Sequence, residues 1–207
     1  TQELAEQVLA DLEGASEALV FSSGIAACTA PFHALKRGEE ALVSKTIYHG
    51  VLSFIDEFAE SWGISIDYFE TGNLKDLEEK LVNGKTRLVW LETPANPSWV
   101  VTDLEAAAKL AHEAGALLAV DSTAATPVLK RPLELGADLV CHSATKYLNG
   151  HSDVIAGFLA VREPSLEIWR RIREHRKFGG AILGSMEAYL LIRGMKTLHL
   201  RVHRQCE

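Results

Sequence analysis

Short apolar runs alternate along the chain with stretches in which apolar residues recur every three or four positions. The runs predict strands at Leu19 to Phe21, Ala41 to Ser44, Ile64 to Phe69, Leu88 to Leu91, Leu117 to Val120, Leu139 to Cys141 and Ile155 to Val161. The 3.6-residue pattern predicts helices from Leu4 to Leu12, from about Ile25, from Gly50 to Trp62, from Leu74 to Val82 and from Leu104 to Ala114. Val51, Ile55, Phe58 and Trp62 form the apolar stripe of the third of these. Asn73 and either Thr102 or Asp103 stand where N-caps belong, and Gly115 follows the fifth helix as a C-terminal stop. After Pro164 the pattern is helical, with one run expected from Met186 to Val202. Leu117 to Val120 is apolar without alternation, the mark of a strand buried on both faces of a parallel sheet. The expected fold is α/β, with a mostly parallel central sheet and helices on both faces. No internal repeat, low-complexity tract or linker divides the chain, and both ends fall in or beside helices, as expected of a piece of a longer chain.

Composition narrows the function. The 207 residues carry 21 Lys and Arg against 28 Asp and Glu, a net charge of −7, with no basic block. Phosphate neutralisation dominates nucleic-acid affinity, so such a partner is not expected. The longest uncharged stretch, Ala18 to Leu35, is broken by Ser22, Ser23, Gly24 and Pro31 and reads as strand, turn and helix, not as a membrane span. Cys28, Cys141 and Cys206 show no CxxC spacing, which predicts reduced thiols and a cytoplasmic setting. No histidine, cysteine and carboxylate spacing suits a metal.

Ligands of open α/β sheets bind beyond the carboxyl ends of the strands. The residues expected there are Ser22-Ser23-Gly24-Ile25, Tyr48-His49-Gly50, Glu92 to Pro97, Asp121-Ser122-Thr123 and His142 to Tyr147. They supply a helix start for an anion, hydroxyls, a carboxylate, an amide, an aromatic ring and a lysine. Such a set suits a planar, phosphorylated cation able to form an imine, a description that pyridoxal phosphate (PLP) meets.

In these segments the chain resembles the Cys/Met-metabolism PLP enzymes of fold type I, the group of cystathionine γ-synthase, the cystathionine lyases, methionine γ-lyase and the O-acyl-homoserine sulfhydrylases. The resemblance rests on Ser23 to Ala27, Glu92 to Pro97, Asp121 to Thr123 with Thr126-Pro127, and His142 to Tyr147 with Gly150 to Asp153. It implies the three-layer large domain of the aspartate-aminotransferase-like PLP transferases over residues 1–207. The family's N-terminal arm and C-terminal small domain lie outside that range. It further implies an amino-acid substrate, elimination or replacement at Cγ or Cβ, and self-association as a dimer or tetramer.

The resemblance also assigns roles. Lys146 carries the cofactor as a Schiff base and then acts as a base. Asp121 pairs with the pyridine nitrogen; an ion pair at about 4 Å is worth roughly 4 kcal/mol at an effective dielectric near 20. Ser23, Gly24, Ile25, Ser143 and Thr145 surround the phosphate, Gly24 and Ile25 through N–H groups at a helix start. Tyr48 stacks on the ring and can relay a proton, Thr123 packs on the other face, and Asn96 bonds the phenolic oxygen. His142 and His151 are expected to be structural, and Cys28 to pack in its helix. Val51 stands where methionine γ-lyases carry a cysteine, and Ile25 replaces the usual methionine. Two other readings stay open: a non-catalytic or truncated PLP-fold fragment, and an aminotransferase of the same fold. In a fragment, Leu190, Leu191, Met195 and Leu198 are expected to form an exposed apolar patch.

Overall fold

The computed structural model describes residues 1–207. Seven strands form one sheet: β1 (Glu17–Phe21), β2 (Glu40–Ser44), β3 (Ser65–Phe69), β4 (Thr86–Glu92), β5 (Leu117–Asp121), β6 (Leu139–His142) and β7 (Gly157–Val161). Their order across the sheet is β1-β7-β6-β5-β4-β2-β3. The pairs between β3 and β6 are parallel, and β7 runs antiparallel to both of its neighbours. The mostly parallel sheet expected from the sequence is therefore present, with one reversed strand inserted near its edge.

Nine helices accompany the sheet: α1 (Gln2–Glu13), α2 (Gly24–His33), α3 (His49–Trp62), α4 (Leu74–Lys80), α5 (Leu104–Glu113), α6 (Thr126–Leu129), α7 (Glu167–Gly179), α8 (Ser185–Met195) and α9 (Leu198–Cys206). Their ends follow local chemistry. The side chains of Ser23, Asn73 and Asp103 accept N–H bonds from Ala26, Asp76 and Ala106, capping α2, α4 and α5. Gly63 closes α3 at φ +73°, a conformation costly for residues with a Cβ.

Successive strand residues point to opposite faces, and both faces are buried. Val20, Leu42, Val89, Leu118 and Val140 pack with α1, α4, α5, α8 and α9. Leu19, Ala41, Leu88, Trp90, Ala119 and Leu139 pack with α2, α3 and α7. Two cores on one sheet give the three expected layers. No helix is long and apolar enough to cross a membrane.

Four expectations need correction. The strand read as Ile155 to Val161 begins only at Gly157, because the N–H and C=O of Ala156 bond instead to Thr145. The run from Met186 to Val202 is two helices broken at Lys196 and Thr197. Leu191, Met195 and Leu198 are buried in the core, and the exposed apolar residues near them are Met186, Tyr189 and Leu200. On α3 only Val51 and Ile55 of the expected stripe are buried. Phe58 and Trp62 instead join Phe54, His33 and His175 in a half-exposed aromatic cluster.

Candidate active site

The carboxyl ends of β1, β2, β4, β5 and β6 point to one edge of the sheet, and the expected residues gather there. Asp121 ends β5 and is buried. Its Oδ1 accepts bonds from the Thr123 N–H (2.9 Å) and the Thr123 hydroxyl (2.6 Å). The same hydroxyl oxygen accepts the Ser143 N–H at 2.8 Å. Thr123 thus ties the end of β5 to the loop after β6. On the other side, the Cys28 thiol donates to Asp121 Oδ2 at 3.6 Å and lies 3.3 Å from the Cys141 sulfur. The bond with Cys141 and burial push the Cys28 thiol well up, so it stays protonated and able to donate. The expectation that Cys28 merely packs in its helix is corrected: it contacts the central carboxylate.

The start of α2 meets the Ser143 loop at Gly24. A Cβ placed on Gly24 would fall 2.6 Å from the Ser143 hydroxyl, so the close approach requires glycine. Gly157 has the same function one strand away, since a Cβ there would fall 2.1 Å from the Ser23 carbonyl. The N–H groups of Gly24 and Ile25 have no acceptor within their helix. The Ser23 side chain is occupied in capping Ala26, at 3.2 Å. The Ser143 hydroxyl has no protein partner, and with the two amides it makes a cluster of donors suited to an anion.

Lys146 lies on the turn after β6, exposed and without an ion-pair partner. That turn is tightly held. The Lys146 N–H bonds the Ser143 carbonyl, and the Thr145 hydroxyl donates to the Ala156 carbonyl at 3.1 Å while accepting the Ala156 N–H at 3.0 Å. The Thr145 hydroxyl proton is therefore already used. The Arg201 guanidinium reaches the carbonyls of Tyr147, Leu148 and Gly194 from α9, an anchor that no local sequence signal announces. His151 donates to the Asn149 carbonyl, and the Asn149 amide donates to Asp153. His142 is buried against Glu13 of α1. Both histidines thus have the structural surroundings expected of them.

Tyr48 and Asn96 are exposed, and neither side chain has a hydrogen-bond partner. Their backbones converge on one carboxylate. Glu92 Oε2 accepts the Tyr48 N–H at 2.8 Å, and Oε1 accepts the Asn96 N–H at 2.9 Å. Glu92 is buried, pairs in register with Asp121 on the adjacent strand, and has no cation beside it. Burial, and then the Asp121 charge, push its carboxyl up to about 7, against the pull of the two N–H bonds. Sequence reasoning quoted Glu92 within a motif but gave it no role; a carboxylate ending a buried strand was the available signal. The Tyr48 ring lies over Gly50, where a Cβ would fall 2.6 Å from the ring edge.

Comparison with known proteins decides the family. The profile described as "Cys/Met metabolism PLP-dependent enzyme" matches residues 1–207. The chain belongs to that family. It is 40% identical over 204 residues to the cystathionine gamma-synthase/O-acetylhomoserine (thiol)-lyase of Bacillus subtilis, covering 99% of this chain and 54% of that relative. It is 38% identical over 205 residues to human cystathionine gamma-lyase, covering 99% of this chain and 50% of the relative. The crystal structure of cystathionine gamma-lyase from Lactobacillus plantarum, complexed with L-serine, superposes with a TM-score of 0.90 at 37% identity, over 95% of this chain and 51% of that one. The chain thus spans about half the length of the family members it matches.

The residues present fit the family's cofactor. The close approach of Gly24 to Ser143 brings together donors for a phosphate, Asp121 offers a buried carboxylate, and the Lys146 amine is free.

Proposed function

We propose that this chain is the PLP-binding large domain of a lyase or transferase acting at Cγ or Cβ of a sulfur-related amino acid, in the manner of cystathionine γ-synthases and γ-lyases. The observation that carries the reading is the convergence of a free lysine amine, a cation-free buried carboxylate and a cluster of N–H and hydroxyl donors on one sheet edge. When bound, PLP supplies a protonated ring able to take up the charge left when a bond at the substrate's α-carbon breaks.

The residues divide the work. The N–H groups of Gly24 and Ile25 and the Ser143 hydroxyl hold the phosphate, and Ser23 supports them by capping the helix. Thr145 contributes by fixing the turn against Ala156. Asp121 keeps a proton on the ring nitrogen; Thr123 and Cys28 orient its two oxygens. Tyr48 and Thr123 would border the two faces of the ring, and the Asn96 amide would donate to the phenolic oxygen. The Lys146 amine would hold the cofactor covalently and, once freed, would take the substrate α-proton at Nζ.

Residues outside 1–207 complete the site in this reading, binding the substrate carboxylate and reaching the phosphate from a neighbouring subunit. Exposed Met186, Tyr189 and Leu200, on α8 and α9, and Phe178, on α7, support burial of apolar side chains in a dimer or tetramer. The absence of a paired cysteine spacing supports a cytoplasmic setting. The test is borohydride reduction of the purified protein with PLP, followed by peptide mapping. A parallel panel of cystathionine, methionine, cysteine and O-acyl-homoserines is assayed for ammonia and 2-oxo-acid. Label on Lys146 and turnover of at least one substrate are expected; label on another lysine defeats the assignment.

A further inference from the structure

A buried carboxylate without a cation is costly, so the contacts that hold Glu92 in place point to its use. Its two oxygens accept N–H groups from segments far apart in role: Tyr48, at the start of α3, and Asn96, in the loop after β4. The loop around Asn96 has bonds of its own, from Ala95 N–H to the Val100 carbonyl and from Thr102 N–H to the Thr93 hydroxyl. Those bonds shape the loop but do not reach Tyr48. Glu92 alone bridges the two segments, and it does so from the strand position paired with Asp121.

We propose that Glu92 is a positioning residue of the cofactor site, one carboxylate that sets the Tyr48 ring and the Asn96 amide in fixed relation to Asp121. The proposal rests on the cofactor reading above. The geometry demands two acceptor oxygens at this reach. A glutamine has one acceptor oxygen and turns an N–H donor against the second amide. An aspartate keeps both acceptors and the charge but is one methylene shorter.

The experiment compares wild-type holoenzyme with Glu92→Gln and Glu92→Asp. Glu92→Gln is expected to weaken PLP binding at least ~10-fold, from loss of one charge-assisted hydrogen bond. It should also reduce the visible circular dichroism of the bound cofactor, which reports how rigidly the ring is held. Glu92→Asp should recover part of both. A folded Glu92→Gln enzyme with wild-type PLP affinity and unchanged dichroism overturns the proposal. If Glu92→Gln does not fold, amide exchange in the wild-type enzyme decides. Protection at both Tyr48 and Asn96 supports the bridge, and free exchange at either overturns it. A wild-type protein that takes up no PLP on Lys146 overturns the cofactor reading instead, a result distinct from failure of the bridge.

Discussion

The two ends of the same sheet treat their buried acids in opposite ways. At the amino ends of the parallel strands every buried carboxylate meets a cation. Glu40 is 2.8 Å from the Lys85 amine and accepts the Thr86 hydroxyl. Asp138 binds Arg162 at 2.9 Å, His112 at 2.8 Å and the Leu118 N–H at 2.8 Å. At the carboxyl ends, Glu92 and Asp121 are equally buried but surrounded only by N–H, hydroxyl and thiol groups. Paired acids lock the fold. Acids held only by neutral donors lack a counter-charge, at a cost in stability, and so suit a site that takes a cation from outside the chain. The end of the sheet that is electrostatically incomplete is the end where we propose that the cofactor binds.

Exchanging the roles of the two ends should separate function from stability. Asp121→Asn keeps an acceptor for Thr123, so thermal unfolding should shift little. Steady-state turnover on the best substrate should fall by about 10²- to 10³-fold, because the neutral partner no longer holds the ring proton. Asp138→Ala should do the reverse. It strands Arg162 and the buried Leu118 N–H, and denaturant unfolding should show a loss of ~3 kcal/mol with PLP affinity nearly unchanged. Near-normal turnover in Asp121→Asn, or lost PLP binding in Asp138→Ala, breaks the comparison.

Two effects of pH sharpen it. Glu92 has a folded value near 7, above its ordinary 4.5. The folded state therefore holds its proton more tightly, and stability falls as pH rises from about 4.5 to about 7, then levels. For the cofactor-free protein the decline should reach ~2–3 kcal/mol and vanish in Glu92→Gln, as read by urea unfolding across that range. His33 has the opposite sign. Burial first, then the nearby His175, push it down to about 4 from 6.5. Its contribution is complete above about 6.5 and is lost as pH falls towards 4. Since His33 is only half-buried, solvent screening limits the effect to ~1 kcal/mol or less. His33→Gln should flatten that acid limb.

Much of this was legible in the sequence because it is encoded locally. Ser23, Asn73 and Asp103 announce their helices within three residues, and the residues after each strand fall on one sheet edge by topology alone. What escaped depends on contacts between distant segments. The reversal of β7 is fixed by pairing with β1, far back in the chain. The break between α8 and α9 falls just past Gly194, but the apolar periodicity continues through it because both helices face the same core. The Cys28 contact with Asp121 joins the second helix to the fifth strand. Glu92 collects one bond from close by and one from 44 residues upstream, so no local pattern reveals it.

The central claim is that Asp121 is held ready for the cofactor's ring nitrogen. Nitrogen-15 NMR of PLP labelled at that nitrogen, bound to wild-type protein and to Asp121→Asn, tests it most directly. A protonated-nitrogen shift in the wild type through neutral pH, moving to the unprotonated position in Asp121→Asn, is the result predicted here. The same shift in both proteins would contradict it.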